Sequence, residues 1–149
     1  MIQSEVEQQM QLFFRLMQSM DTIYEDYAHT HALTYMSLYV LETIYANRAC
    51  TQTCICEQTL YPKQTVNMVV RSFVAKGWVQ LEPNPDDGRS KLIRLTPAGM
   101  AQAEQIIEPF WCAGSLAFAE LDADERAVML RTLLRFVRIF SEKVKSLPK

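Results

Sequence analysis

Apolar residues between positions 6 and 27 recur at alternating steps of four and three, the spacing of one face of a long α-helix. The members of this series are Val6, Met10, Phe13, Met17, Met20, Tyr24 and Tyr27. Leu12, Phe14 and Leu16 form a second apolar strip on the same segment. The pattern predicts a long first helix with more apolar surface than a single packing face requires.

Cap residues divide the next part of the chain into shorter helices. Thr34 is a suitable N-cap for a helix that ends near Asn47. The predicted inner face of this helix consists of Met36, Tyr39, Val40 and Ile44. Thr51 or Thr53 is then expected to open a short helix that ends near Leu60.

The helix that follows has two distinct faces. Pro62 suits its first turn, where a missing N–H costs nothing, and Gly77 is typical of the position just past a helix end. Its predicted buried face consists of Val66, Val69, Val70, Phe73 and Val74. The opposite face, at steps of three and four, presents Gln64, Asn67, Met68 and Arg71.

Beyond Gly77 the apolar period changes from that of a helix to that of a strand. Residues 78–82 and 91–95 are predicted strands, and the Pro-, Asn-, Asp- and Gly-rich residues 83–90 are the loop of a hairpin. Thr96 followed by Pro97 then begins another helix, which Pro109 is expected to kink or break.

Asp122 and Glu125 form a capping-box pattern for a last helix from about Ala123 to Lys145. One apolar stripe of this helix contains Ala127, Leu130, Leu134 and Val137, and the other contains Met129, Leu133, Phe136 and Phe140. A helix with two stripes is expected to pack on its own core and on a second chain. The alternative is that the first and last helices pack on each other within one chain.

The order of these elements is that of a mainly α winged helix-turn-helix with a small β-hairpin wing. Only 4 Gly and 6 Pro in 149 residues argue against a β-sandwich. The longest apolar run is well short of the roughly 20 residues that span a bilayer, and the polar N-terminus is unlike a secretory signal. We therefore expect a cytoplasmic protein with no membrane partner.

The charge is unevenly distributed along the chain, and the cysteine spacing argues against a metal site. The net charge is -2, yet residues 61–96 carry six basic and three acidic side chains. The four cysteines (Cys50, Cys54, Cys56 and Cys112) lack the spacing of common zinc sites, and we expect no metal and no cofactor. Cys56 is expected to be buried and Cys54 more exposed, which leaves redox sensing by Cys54 as a hypothesis.

Residues 62–71 have the side chains that a helix in a DNA major groove needs. Gln and Asn pair with adenine, Arg pairs with guanine, and Lys63 and Thr65 in the first turn can reach phosphates. The alternative is an ordinary amphipathic helix. The hairpin favours the first interpretation, because Arg89, Ser90 and Lys91 beside a tight turn can enter a minor groove. Acidic Asp87 can orient Arg89 or pair with Arg71. The alternative is a turn residue that bonds to its own backbone, a role compatible with either.

The hairpin also carries a motif. Asp87-Gly88-Arg89 with Leu95–Gly99 resembles the D-x-R…L-T-x-x-G wing signature of the MarR (multiple antibiotic resistance regulator) family. Pro62–Asn67, with Lys76–Val79, is similar to that family's recognition helix and its exit into the wing. The motif resemblance covers residues 50–99.

This resemblance implies a homodimeric, DNA-binding transcriptional regulator, often a repressor, that reads a pseudo-palindromic operator on double-stranded DNA. Residues 1–30 and 98–149 would form the helical dimerisation region, and residues 34–97 the DNA-binding lobe. The wing arginine, Arg89, would enter the minor groove. The implied DNA-binding residues are Pro62, Lys63, Gln64, Thr65, Asn67, Met68, Arg71, Asp87, Arg89, Ser90 and Lys91.

Family members commonly release DNA when a small phenolic or aromatic ligand binds between the dimer helices and the DNA lobe. By position, the candidate ligand-binding residues are Tyr24, Tyr27, His31, Tyr39, Phe110 and Trp111. The alternative is that they are core or interface residues, and that His29 and His31 are a solvated loop pair. The family's peroxide sensors carry a reactive cysteine near the start of the first helix, which this chain lacks.

Two other function classes fit the sequence less well. An enzyme would require a nucleophile with a base, or paired acids in a pocket, and the carboxylates here are scattered. A winged-helix module that binds another protein and no DNA would have lost its basic wing. Arg71, Arg89 and Lys91 favour DNA binding, whereas the Asp86-Asp87 pair and the low net charge keep the protein-binding alternative open.

Overall fold

The computed structural model of the protein describes residues 2–148, with side chains from residue 4 onward. This part of the chain contains six helices and three short strands. In chain order they are α1 (Ile2–Thr30), α2 (Tyr35–Asn47), β1 (Ala49–Thr51), α3 (Gln52–Thr59), α4 (Lys63–Ala75), β2 (Val79–Pro83), β3 (Lys91–Leu95), α5 (Pro97–Glu120) and α6 (Ala123–Lys145). The mainly α fold with a β-hairpin wing is therefore confirmed.

The predicted helix caps are formed. The side chains of Thr34 and Thr51 each accept a hydrogen bond from the backbone N–H three residues later, at 3.1 and 3.2 Å. Asp122 and Glu125 exchange both bonds of a capping box at 2.8 Å. Pro62 was predicted in the first turn of α4, but it is the N-cap, one position before the helix begins, and its dihedral angles are extended.

The sheet has one strand more than the sequence predicted. Its order is β1-β3-β2, with both pairs antiparallel. Ile93 in the central strand faces Cys50 on one side and Leu81 on the other. β1 was missed because its three residues lie directly between two helices and are too short to show an alternating pattern.

By compactness the chain divides into two units, Met1–Ile107 and Glu108–Lys149. The buried core lies in the first unit, where α2, α3, α4 and the sheet converge around Leu38, Ile44, Ile55, Val66 and Phe73. Two residues predicted to face inward are partly exposed instead: Met36 at 37% and Val74 at 41%. Both lie at the margin of an apolar stripe, where a small rotation of the helix moves a side chain into solvent.

Residues 108–148 contain the end of α5 and all of α6. The helix α5 is continuous through Pro109, so the predicted break is wrong. No residue of α6 is buried. Its apolar stripes therefore remain on the surface, as do those of α1, where Val6, Met10, Leu12 and Leu16 are exposed. Along residues 2–148 no helix combines the length and apolar character that crossing a bilayer requires.

Candidate nucleic-acid interface

The helix α4 is anchored by one face and displays the other. Val66, Val69, Val70 and Phe73 are buried, as predicted. On the outer face Lys63, Gln64, Asn67, Met68 and Arg71 are all exposed, while Thr65 is half-buried. The separation follows from the helical period, because residues three and four positions apart share a face. α4 thus presents amide, guanidinium and ammonium donors on a rigid, core-anchored support.

Both ends of α4 are fixed by hydrogen bonds. At its start, the Gln52 side chain on α3 donates to the backbone oxygen of Lys63 at 2.8 Å. At its end, Gly77 has a positive φ of 71°, and its N–H donates to Val74 O at 2.9 Å. The Trp78 N–H donates to Phe73 O at 2.9 Å, which completes a Schellman motif. These bonds set the direction in which the chain leaves α4 and enters the wing.

The wing is stiffened by an ion pair across its two strands. Arg94 Nε on β3 donates to Glu82 Oε2 on β2 at 3.1 Å, and Gln80 donates to Glu82 Oε1 at 2.8 Å. The Arg94 guanidinium, followed by the Gln80 amide, holds the pKa of Glu82 below its ordinary value. Glu82 therefore pairs with the positive charge of Arg94. The other cations of the wing remain available to a binding partner.

The wing tip is a series of turns built from side-chain acceptors. Asn84 Oδ1 accepts from Asp86 N at 3.1 Å, and Asp87 Oδ1 accepts from Arg89 N at 3.0 Å. The bond from Arg89 N makes Asp87 a turn-forming residue, one of its expected roles. Within residues 4–148 Asp87 forms no ion pair with Arg71 or Arg89, so the proposed pairing is absent.

The outer face of α4 and the wing line one groove with a volume of about 520 Å³. Helix α4 contributes Lys63, Asn67 and Arg71, and the wing contributes Arg89, Ser90 and Lys91. Six of the eleven predicted DNA-binding residues thus lie along this groove. The other five, at Pro62, Gln64, Thr65, Met68 and Asp87, are not part of its lining.

The start of α3 completes the groove. Thr51, Gln52 and Thr53 line it beside Lys63. Their polar side chains were missed as site residues because the sequence marked Thr51 and Thr53 only as possible helix caps. Hydroxyl and amide groups at a helix N-terminus are common phosphate ligands. The run of such side chains at the start of α3 was therefore the sequence signal that could have identified these residues.

The lining of the groove is positively charged. It contains Lys63, Arg71, Arg89 and Lys91, and it contains no acidic residue. None of these four side chains forms an ion pair within the described part of the chain. A groove with four available cations in a protein of net charge -2 is chemically suited to a polyanion.

Ring contacts join some of the aromatic residues predicted to bind a ligand. Tyr24 and Tyr39 are connected through Tyr35, whose ring is 5.5 Å from Tyr24 and 6.4 Å from Tyr39 between centroids. Tyr27 and His31 contact each other at 4.8 Å, and the Tyr27 hydroxyl donates to Ile106 O at 2.7 Å. Phe110 and Trp111 belong to the second unit, where Phe110 is half-buried and Trp111 is exposed. His29, which the alternative interpretation placed in a solvated loop, is on α1, and its Nε2 lies 3.0 Å from Glu25 Oε1.

The cysteines differ in accessibility. Cys56 is half-buried like Cys54, and not buried as predicted; both side chains pack against the core cluster at its margin. The Cys54 sulfur accepts a hydrogen bond from Gln58 Nε2 at 3.2 Å. Burial raises the pKa of Cys50 to about 12. Among residues 4–148 no three His, Cys, Asp or Glu side chains are arranged to hold a metal ion.

Sequence comparison relates this architecture to known regulators. A family model, MarR_2, described as MarR family, matches residues 32–90, which extend from the turn before α2 to the tip of the wing. The HTH-type transcriptional repressor NicR of Pseudomonas putida is 25% identical over 115 residues. The aligned part is 77% of this chain and 73% of NicR.

Two solved structures are similar over most of the chain. A mutant of MarR from E. coli, complexed with operator DNA, is 26% identical with a TM-score of 0.65, covering 89% of this chain and 95% of that one. Bordetella bronchiseptica BpsR, whose DNA binding is regulated by 6-hydroxynicotinic acid, is 24% identical with a TM-score of 0.69. The BpsR match covers 87% of this chain and 98% of BpsR, and it supports the fold.

Proposed function

We propose that this chain is a DNA-binding transcriptional regulator of the MarR family, without enzymatic activity, and that it acts as a cytoplasmic, homodimeric repressor; the family-model match and the similarity to NicR and MarR support this proposal. In this proposal each protomer reads one half of a pseudo-palindromic operator. A small aromatic ligand then releases the dimer from DNA.

The observation that carries the proposal is the groove between α4 and the wing. Its four cations lie on two separate elements, so one chain can contact a duplex at two places at once. We assign α4 to the major groove, where Gln64, Asn67, Met68 and Arg71 face base edges. Phosphates are assigned to Lys63 and Thr65 in the first turn, together with Thr53 of α3. Pro62, the N-cap of α4, is proposed to lie against the DNA backbone without donating a hydrogen bond.

The wing is assigned to the adjacent minor groove. Arg89 is the inserted side chain, and Ser90 and Lys91 contact the flanking backbone. Asp87 contributes by forming the turn that presents Arg89, through its bond to the Arg89 N–H. The lobe that performs this reading spans residues 34–97.

A second copy of the chain is proposed to cover the exposed apolar stripes of residues 1–30 and 98–149. Leu130, Leu134 and Val137 on α6 are exposed in the single chain, as are Met10 and Leu16 on α1. Leaving this much apolar surface in water is unfavourable, and obligate homodimers typically bury such surfaces between protomers. A symmetric dimer would then place two wings and two α4 helices on one face of DNA.

Repression and ligand release are supported by the relatives. NicR is named as a repressor, and BpsR is regulated by an aromatic acid. For this chain we propose ligand contacts by Tyr24, Tyr27, His31, Tyr39, Phe110 and Trp111. The Tyr24 and Tyr39 rings are joined by Tyr35 in one aromatic group, which gives a ligand ring a surface to stack on.

Selection of bound duplexes from a random pool tests the proposal. A homodimer of this kind should enrich an inverted repeat whose half-sites are about 10 base pairs apart, centre to centre. Enrichment of one short, unrepeated motif would overturn the dimeric reading. No enrichment at low salt, from a protein that remains folded, would favour a winged-helix module that binds another protein.

A further inference from the structure

Four tyrosines from three separate segments form a continuous row of ring contacts in the first unit. Tyr24 lies on α1, Tyr35 and Tyr39 lie on α2, and Tyr61 lies between α3 and α4. Tyr24 meets Tyr35 edge to face at 5.5 Å, Tyr35 stacks on Tyr39 at 6.4 Å, and Tyr39 meets Tyr61 edge to face at 6.0 Å. We refer to these four residues as the tyrosine row.

The tyrosine row is not closed off as core. All four rings are half-buried, with Tyr24 and Tyr61 packed against the core cluster, so part of each ring remains accessible. Aromatic rings have a negative electrostatic potential over their faces, which attracts cations. The row therefore provides several adjacent ring faces with a negative electrostatic potential.

Two carboxylates accompany the row. Glu42 shares one face of α2 with Tyr35 and Tyr39, at steps of four and three residues, and its Oε2 atom is buried. Asp21 is one helical turn before Tyr24 on α1 and is exposed. Beyond burial, which is the largest cause, Glu42 raises the pKa of Tyr24 and Asp21 raises the pKa of Tyr35. Both carboxylates are thus within electrostatic range of the rings.

The hydroxyl of Tyr61 completes the arrangement. Its oxygen is buried and has no hydrogen-bond partner within the described residues. A buried hydroxyl without a partner is uncommon and unfavourable, and an N–H donor on a ligand would satisfy it. Burial raises the pKa of Tyr61 to about 12. The phenol is un-ionised at neutral pH, as it would be at its ordinary pKa, and its oxygen can accept a hydrogen bond.

We propose that the tyrosine row, with Glu42 and Asp21, binds a small protonated amine that carries an apolar or aromatic group. The ammonium would lie over the ring faces near Glu42 and donate to the Tyr61 hydroxyl, while the apolar part stacks on the row. An anionic ligand of the same size is disfavoured, because it would meet two carboxylates. This inference rests on the ligand response proposed above and gives that ligand a chemical class.

Three ligands of similar shape test the proposal by calorimetry on the full-length protein at neutral pH. Benzylamine is cationic, benzyl alcohol is neutral and benzoate is anionic. We expect benzylamine to bind about tenfold more tightly than the other two, a factor within the range of a partly desolvated cation–π contact. Benzoate binding as tightly as benzylamine, or no binding by any of the three, would overturn the proposal.

Matched variants locate the effect. Glu42→Gln should weaken benzylamine about tenfold and leave benzyl alcohol unchanged, because the amide keeps the shape and removes the charge. Asp21→Asn, at an exposed position, should weaken benzylamine in the same direction without affecting folding. Glu104→Gln removes an exposed carboxylate from α5 and should change neither ligand. Unchanged benzylamine affinity in both Glu42→Gln and Asp21→Asn would contradict the site.

Duplex binding by the ligand-free protein separates this inference from the proposed function. If the protein binds its selected duplex but prefers benzoate, the amine site alone is wrong. If it binds benzylamine with the expected variant pattern but no duplex, the amine site stands and the proposed regulator does not.

Discussion

Gly99 lies so close to the backbone of Trp78 that a Cβ atom at residue 99 would be 1.8 Å from the Trp78 carbonyl oxygen. The same carbonyl accepts a hydrogen bond from Thr96 N at 2.9 Å, and Thr96 Oγ1 donates to Gly77 O at 2.6 Å. The first turn of α5 is thereby joined to the point where the chain leaves α4. The wing begins and ends at this junction, so the junction fixes the wing relative to α4.

Replacing Gly99 should therefore destabilise the protein. Gly99→Ala forces a backbone shift, with an expected loss of about 1–3 kcal/mol in the free energy of unfolding. Gly114→Ala is the matched control, because nothing lies within 4 Å of its added Cβ. That control should be neutral or stabilising by up to about 1 kcal/mol through helix propensity. Urea unfolding followed by circular dichroism measures both, and equal stabilities would show that the junction tolerates a side chain.

The recognition face of α4 gives a prediction about specificity. Gln64→Ala and Asn67→Ala should each cost about 1–3 kcal/mol on the selected duplex and relax the preference at particular base pairs. Ser72→Ala alters an exposed residue of α4 outside the groove and should leave both properties unchanged. Fluorescence anisotropy with single-base variants of the duplex measures the effects. If Asn67→Ala weakens all duplexes equally, Asn67 contacts the backbone and reads no base.

The dimer proposal predicts the effect of a charge on α6. Leu134 is 72% exposed in the single chain, so Leu134→Asp should leave each protomer folded but introduce a charge where the second copy packs. Leu60→Asp changes a leucine that is 87% exposed and lies in the DNA-binding lobe. Light scattering should find Leu134→Asp monomeric and Leu60→Asp dimeric. A dimeric Leu134→Asp would place the interface elsewhere.

Thiol labelling should separate the cysteines by burial and pKa. The thiolate is the reactive form, and Cys50 is buried with its pKa raised to about 12, so Cys50 should resist alkylation at neutral pH. Its labelling rate should continue to rise with pH well above 9, because the raised pKa delays ionisation. Cys112 is exposed and serves as the internal reference. Mass spectrometry after limited iodoacetamide treatment gives the ratio, and equal labelling near pH 7 would contradict the buried position of Cys50.

The sequence predicted the helices and the residues at which they begin well. Thr34, Thr51 and Asp122 identify helix starts because their side chains bond to nearby backbone groups, a local interaction that leaves a local pattern. β1 left no such pattern, because a three-residue strand is defined by its partner β3, more than forty residues away. Pro109 was expected to kink or break α5, and the helix is continuous through it, so the break is wrong.

The groove was predictable only in part. Arg71 and Arg89 were identified from the separate patterns of α4 and the wing, yet their arrangement along one groove depends on tertiary packing. Gln52 was missed for the same reason, since its place beside Lys63 follows from the angle between α3 and α4. Tyr61 lies in an irregular segment where no periodicity applies, so its contact with Tyr39 could not be anticipated.

The salt dependence of duplex binding by Arg89→Ala shows whether the wing contacts DNA. Arg89 lines the groove, so its removal should weaken binding to all duplexes and lower the slope of log affinity against log salt by about one per protomer. Lys76→Ala is the control: it removes a cation at the end of α4 that does not line the groove. The slope for this variant should stay near that of the original protein. A slope for Arg89→Ala identical to that of the original protein would contradict the assignment of the wing to DNA.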